Sequence, residues 1–352
     1  MNTDYVLLGR SGLRVSRFCL GTMTFGTEWG WGSAEEASRT IFNRYLDSGA
    51  NFIDTADGYT NGTSETLIGK FLKERGDRDR VVLATKFGFG REQGNPNSGG
   101  NGRKNIYSAL HTSLKRLQTD YIDLYWLHNW DTLTPAEELM STLDDLVSSG
   151  KVRYLGFSNC SGWYLGRAQT IAELRGYEKI VGLQLEYSLV ERNIEREHVP
   201  AALELGFGIT PWSPLGSGLL TGRYQSSGKQ VSGEGRLNAV KEHPAFGKLF
   251  TEGNWAIADE LVKIAQQIGR PPAQVALNWV TNRPAVSSTI IGATKTQQLQ
   301  DNLAALDFTI PAELSKRLDQ ISAPQIVYPY TFFGGEFTSM VSAGTNVRRT
   351  AA

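Results

Sequence analysis

Residues 51–59 read NFIDTADGY. A short apolar run ends there in Asp54, and Tyr59 follows in the loop just after it. Two later runs end in the same manner. VVLATK, residues 81–86, closes on Lys86, and YIDLYWLH, residues 121–128, closes on His128. Each run is apolar on consecutive positions, as strands are when both faces of a parallel sheet are covered. A carboxylate, a phenol, an ammonium and an imidazole from three separate stretches can meet only if those strands lie side by side.

The same pattern continues along the chain. Strand candidates fall at residues 18–20, 52–54, 81–86, 122–127, 154–157, 182–185, 208–212 and 289–291, with amphipathic segments between them. Strand–helix alternation of this kind implies right-handed crossovers and a closed (β/α)8 TIM barrel, with functional groups at the C-terminal strand ends. Ahead of it, residues 5–8 and 13–15 flank Gly9-Arg-Ser-Gly12 and suggest an N-terminal β-hairpin. We read residues 1–352 as one domain: hairpin 5–15, barrel 16–306, and a C-terminal helix (about 312–320) and tail over 307–352. Ser33-Ala-Glu-Glu36 and Thr134-Pro-Ala-Glu137 have the spacing of capping boxes. Ser64 is a candidate cap for the helix running to about Arg75, and Gly150 is a left-handed stop. Long irregular segments at 88–102 and from 213 to about 244 would lie on the active-site rim, where such loops are functional or mobile.

The four polar groups suit protonation of a carbonyl oxygen. A free Tyr titrates near ~10, too high for efficient proton exchange at neutral pH. Lys86 would stabilise the phenolate of Tyr59 and lower that value, and Asp54 would keep Lys86 charged and aimed. A neutral His128 would orient the carbonyl. Such a site holds no nucleophile and needs a hydride donor. Taken singly, each residue has a plain structural reading: a packing Tyr, a solvated Lys, a hydrogen-bonded His. Their joint placement at successive strand ends is what points to catalysis.

The chain resembles the aldo-keto reductases along nearly its full length, in the branch related to potassium-channel β subunits. The segments that carry the resemblance are LGRSGLRVSRFCLGTMTFG, NFIDTADGY, ATK, DLYWLH, GFSN, QLEYS, TPWSPLGSGLL and IIGATKTQQLQDN. The resemblance implies a catalytic tetrad of Asp54, Tyr59, Lys86 and His128, and NADP(H) lying extended across the barrel mouth. By motif, Ser158, Asn159 and Gln184 would hold the carboxamide and Trp212 would stack on the nicotinamide. Ser213, Pro214, Leu215 and Ser217 would surround the pyrophosphate; Gly292, Thr294, Gln298 and Asn302 would take the adenosine end. Arg223 and Arg236 match basic positions in the channel-related branch, and Lys295 is a further base for a 2′-phosphate. Many relatives place Arg or Lys where Thr294 or Gln298 stands here, a departure that leaves NAD possible.

Trp29, Trp31, Phe87, Phe89, Asn129 and Trp130 follow strands one, three and four and are candidate substrate walls. The tail segment 328–333 could fold back over the mouth. Converging aromatics suit an apolar or ring-shaped substrate, sugars included.

Composition narrows the alternatives. Lys plus Arg equals Asp plus Glu, 36 each, so nothing supports a nucleic-acid or anionic-membrane partner. No apolar stretch approaches a membrane span and the N-terminus lacks signal-peptide features, so a cytoplasmic protein is expected. The two cysteines, Cys19 and Cys160, exclude a disulfide framework and make a metal site unexpected. Cys160 follows GFSN, where oxidation sensing is conceivable and a structural thiol is the plainer reading. No GxGxxG is present, so a Rossmann site is unsupported. Two rival functions stand beside the reductase. A cofactor-binding sensor like the channel β subunits is opposed by His128, where those subunits commonly carry Asn. A barrel glycosidase would need paired carboxylates; Asp54 and Glu186 stand near strand ends, but strands four and seven end with His128 and Trp212, and Asp54 is better explained by Lys86. The substrate's identity and the oligomeric state are not legible.

Overall fold

A computed structural model of the chain describes residues 4–227, 230–232 and 249–347. Eight parallel strands form a nearly closed barrel: β3 (Phe18–Gly21), β4 (Phe52–Asp54), β5 (Val82–Phe87), β6 (Ile122–Leu127), β7 (Val152–Ser158), β8 (Ile180–Glu186), β9 (Gly208–Trp212) and β12 (Thr289–Ile291). The ring order is β12-β3-β4-β5-β6-β7-β8-β9. It closes where Ile209 of β9 bridges Val286, just ahead of β12. Around it lie α1 (Glu35–Asp47), α2 (Thr63–Arg75), α3 (Arg103–Leu117), α4 (Ala136–Ser148), α5 (Gly162–Arg175), α6 (His198–Leu205), α7 (Glu252–Ile268), α8 (Pro272–Thr281) and α9 (Thr296–Leu303). A small hairpin, β10 (Gln225–Ser227) with β11 (Gln230–Ser232), follows β9. The eight expected strands are all present, within one or two residues of their expected limits.

The runs are continuously apolar because successive residues serve two cores. Cys19, Phe52, Val82, Ala84, Leu124 and Trp126 point into the barrel. Their neighbours Phe18, Leu20, Ile53, Leu83, Tyr125 and Leu127 belong to the layer between strands and helices. Trp126 fills the barrel interior at the level of Lys86, and two glycines make room for it. A Cβ at Gly156 would lie 2.2 Å from the indole and one at Gly182 would lie 3.0 Å from it.

The N-terminal hairpin, β1 (Tyr5–Leu7) with β2 (Arg14–Ser16), is antiparallel and seals the lower end. Leu8 is buried inside the barrel, and Arg10 N donates to Gly206 O at 2.7 Å. Gly9 has φ +58°, and a Cβ there would sit 2.4 Å from Val181 O.

Three expected caps are absent because their hydroxyls are used elsewhere. Ser33 does not cap α1; Ala34 holds that position, and the Ser33 hydroxyl bonds Thr24 O and Ser38, tethering the loop after β3. Ser64 lies inside α2, where its hydroxyl meets Thr22 and Thr55 beneath the strand ends. Thr134 does not cap α4, whose first residue follows Pro135; its hydroxyl donates to Asp131. Gly150 is left-handed as expected, with φ +73°. Helix α10 (Ala312–Ile321) packs as the expected C-terminal helix, and α11 (Glu336–Val341) extends the tail.

The tail reaches the loop between β8 and α6 rather than touching the tetrad directly. Tyr330 donates to Glu197 and Arg196 donates to Gln325 O, which lays this segment along the loop before α6. Among the described residues no hydrogen bond or ring contact joins it to Tyr59, Lys86 or His128. No helix among the described residues is long and apolar enough to cross a membrane.

Candidate active site

Asp54 ends β4, Lys86 lies near the end of β5, and His128 follows β6. Parallel register brings these strand ends together. Lys86 is fully buried. Its ammonium donates to Asp54 Oδ2 at 2.5 Å, Thr55 O at 2.7 Å and Tyr59 Oη at 2.9 Å. An ammonium has three donors, so all are used. The other Asp54 oxygen accepts from Gln184 Nε2 at 2.9 Å, across the barrel from β8. The Tyr59 and His128 rings stand nearly perpendicular, 5.7 Å apart. His128 Nδ1 is buried and has no partner among the described residues.

Electrostatics follow from that burial. Burial alone would lower the Lys86 pKa, but Asp54 and Tyr59 more than offset it, and the net shift is upward. Burial raises Asp54 against the pull of Lys86. Tyr59 departs from the sequence expectation. The lowering by Lys86 is present, yet burial outweighs it and the hydroxyl ends above its ordinary value. His128 is held well below its usual value, first by burial and then by the Lys86 charge. At neutral pH the set is therefore a charged Lys86, a protonated Tyr59 and a neutral His128. Because Tyr59 Oη accepts from Lys86, its own hydrogen is free to point into the mouth.

The residues expected to hold a cofactor form an arc along the same rim. Ser158, Gln184 and Thr210 are register partners on β7, β8 and β9. The Ser158 and Thr210 hydroxyls are buried and unpartnered among the described residues. Asn159 links the arc to the tetrad: its amide donates to His128 O at 2.9 Å, and its carbonyl accepts from Trp212 Nε1 at 3.3 Å. Ser213 and Ser217 are left-handed, with φ +53° and +54°, and Ser213 Oγ accepts from Ser217 N. Pro214 is buried, Leu215 half-buried and Arg223 exposed. Gly292 is exposed, and its carbonyl accepts from Asn302. Gln298 turns its carbonyl onto Thr294 N and Lys295 N, so it caps α9. Lys295 is exposed beside it. Arg236 lies outside the described residues. Two orphaned hydroxyls flanking a carboxamide, beside a half-buried indole, fit a ligand with an amide-bearing ring.

The aromatic walls divide into two groups. Trp29, 37% exposed, meets Tyr59 edge-on at 6.4 Å and packs on Trp31 at 5.5 Å. Phe89, 50% exposed, meets His128 at 4.6 Å. Asn129 is half-buried and donates to Trp130 O. Trp130 stands further out, stacked on Tyr164 at 4.6 Å and edge-on to Trp163. Phe87 is not a wall. It is fully buried in the strand–helix layer against Tyr125, because it alternates with the inward-facing Lys86. Cys160 is buried, which pushes its thiol up to about 12 and leaves it unreactive. Sequence reasoning missed Thr210, Trp163 and the Asp57–Glu65–Arg116 group below Tyr59. Asp57 stands within the opening nonapeptide; nothing in the sequence pairs it with Arg116.

The aldo/keto reductase family model matches residues 17–323. An uncharacterized oxidoreductase, YrpG, of Bacillus subtilis is 38% identical over 90% of this chain and 95% of its own. A provisionally named voltage-gated potassium channel subunit beta of Schizosaccharomyces pombe is 38% identical over 91% and 93%. An aryl-alcohol dehydrogenase [NADP(+)] of Phanerodontia chrysosporium is 32% identical over 92% and 86%. The chain belongs to the aldo/keto reductase family, whose members are oxidoreductases that use a nicotinamide cofactor.

Proposed function

We propose that this protein is an NADP(H)-dependent reductase of aldehydes or ketones, working reversibly, with Tyr59 as the proton donor. The observation that carries the reading is the buried Lys86 ammonium shared between Asp54 and Tyr59, with a neutral His128 across the mouth. Ser158, Asn159, Gln184 and Trp212 would hold the nicotinamide, and a nicotinamide bound there supplies hydride to the carbonyl carbon. His128 orients the carbonyl oxygen by a hydrogen bond that strengthens as negative charge develops. Tyr59 releases its proton to that oxygen. Lys86, held charged by Asp54, stabilises the phenolate left behind. In the alcohol-oxidising direction the same phenolate recovers the proton.

Support for NADP(H) over NAD(H) comes from the exposed bases Arg223 and Lys295 and from the name of the Phanerodontia relative. Exposed rings of Trp29 and Phe89, set edge-on to Tyr59 and His128, support a flat aromatic carbonyl as substrate. The relation to a channel subunit keeps a sensor role in view, and the complete tetrad favours turnover. Titration with NADPH and with NADH, followed by Trp fluorescence, tests the cofactor reading. Tighter NADPH binding, and NADPH consumption with aryl aldehydes, is the expected result. Binding of neither nucleotide would remove the reductase reading, and tight binding without turnover would favour the sensor.

A further inference from the structure

The turn that carries Tyr59 has a costly backbone. Thr60, Asn61 and Gly62 follow in succession with φ +46°, +56° and +95°. Left-handed residues other than Gly persist where the surroundings over-determine them. Part of that constraint is local: the Thr60 hydroxyl donates to Phe25 O at 2.7 Å and accepts from Ser64 N at 3.1 Å.

The rest comes from a helix far along the chain. Arg116, in the last turn of α3, donates to Asp57 O at 2.8 Å and to Glu65 Oε2 at 3.2 Å. Glu65 is fully buried and also accepts from Thr85 at 2.7 Å, so the guanidinium is anchored from below. It presses directly on the turn, since a Cβ at Gly62 would lie 2.2 Å from its central carbon. Helix α3 can bring it so close because of Gly69 on α2, where a Cβ would sit 2.4 Å from Arg116 O. From the opposite side Arg91 approaches the Asp57 carboxylate at 3.6 Å.

We propose that Arg116 is a positioning residue for the reaction: by holding Asp57 O and filling the space under Gly62, it fixes the left-handed turn that keeps the Tyr59 hydroxyl on Lys86. The proposal rests on Tyr59 being the proton donor. A turn released toward ordinary φ values would carry Tyr59 off Lys86, while the cofactor arc on β7, β8 and β9 stays in place.

The test uses the full chain as Arg116→Met, Arg116→Lys and Tyr59→Phe, and Arg116→Met combined with Tyr59→Phe. The measurements are kcat and KM for benzaldehyde with NADPH, NADPH affinity by Trp fluorescence, and Tm. The expected result for Arg116→Met is a kcat loss of roughly 10- to 100-fold, the scale of an ångström-sized misplacement. NADPH affinity should change by less than about twofold, and Arg116→Lys should recover part of kcat by restoring one donor to Asp57 O. In the Tyr59→Phe background the Met variant should cost nothing more. An unchanged kcat, or a parallel fall of kcat, NADPH affinity and Tm, would overturn the proposal. Should Arg116→Met fail to fold, Gly62→Ala disturbs the same contact from the other side. A lowered kcat with intact NADPH binding is then expected, and full kcat would overturn the proposal. Full turnover by Tyr59→Phe alone would remove the proton-donor reading itself, a failure distinct from that of Arg116.

Discussion

Lys86 Nζ lies 2.9 Å from Tyr59 Oη and is the donor in that hydrogen bond. The phenol is thereby left with its own hydrogen unspent, and burial keeps that hydrogen in place at neutral pH. The pair is thus set in its acid form, which is the form the proposed proton transfer to a substrate oxygen requires.

Replacing Tyr59 by Phe removes the proton and little else. Turnover should fall by roughly 10²–10⁴, the range of general acid–base catalysis. NADPH affinity should stay near its original value, because the residues proposed to hold the cofactor lie on other strands. Steady-state assays beside a fluorescence titration decide it; undiminished turnover would end the assignment.

Lys86→Met should destabilise the fold as well as inactivate it. Asp54 would remain buried with Gln184 but without its cation. Breaking one side of a buried pair costs about 3–5 kcal/mol. The double change Asp54→Asn with Lys86→Met should recover much of that loss and no activity. Urea unfolding at pH 7 checks this. Equal stability of Lys86→Met and the original chain would mean that Asp54 was not charged.

The barrel was legible because each strand feeds two apolar cores, which makes its run continuous and hard to mistake. The meeting of Asp54, Lys86 and His128 was legible for the same reason: a polar residue ending such a run is conspicuous. Caps were not, because Ser33, Ser64 and Thr134 have cap chemistry but spend their hydroxyls on tertiary partners that no local pattern encodes. Phe87 was misplaced by one step of strand alternation, which only the inward direction of Lys86 settles. The sign of the Tyr59 shift depended on burial, a property of the assembled site. Arg116 was invisible because its target lies 59 positions earlier.

Gly156→Ala should be costly although the change is one methyl group. The added carbon would lie 2.2 Å from the Trp126 ring, which also faces Gly182 and is fully buried inside the barrel. Overpacking of this kind costs about 1–3 kcal/mol. Chemical denaturation measures it. Gly166→Ala is the control, since nothing lies within 4 Å of a Cβ there, and it should be neutral or slightly stabilising in its helix.

Asp57 gives the fold a pH dependence opposite in sign to that of an ordinary paired carboxylate. Its carboxyl is pushed up to about 7, by burial first and then by Glu65, against the pull of Arg91 and Arg116. Neither oxygen has a hydrogen-bond partner among the described residues. An unfolded Asp titrates near ~3.9. The native state therefore keeps this proton where the unfolded chain has released it. The favourable contribution is complete below about pH 4 and is lost as the pH rises through about 7. The span between the two values corresponds to at most about 4 kcal/mol. Asp57→Asn mimics the protonated form and should abolish this component. Between pH 5.5 and 8.5 the Asn variant should gain stability relative to the original chain as pH rises. Unfolding free energies at both pH values test this, and parallel pH profiles for the two proteins would show that Asp57 is ionised throughout and paired well enough with Arg91 to stay so.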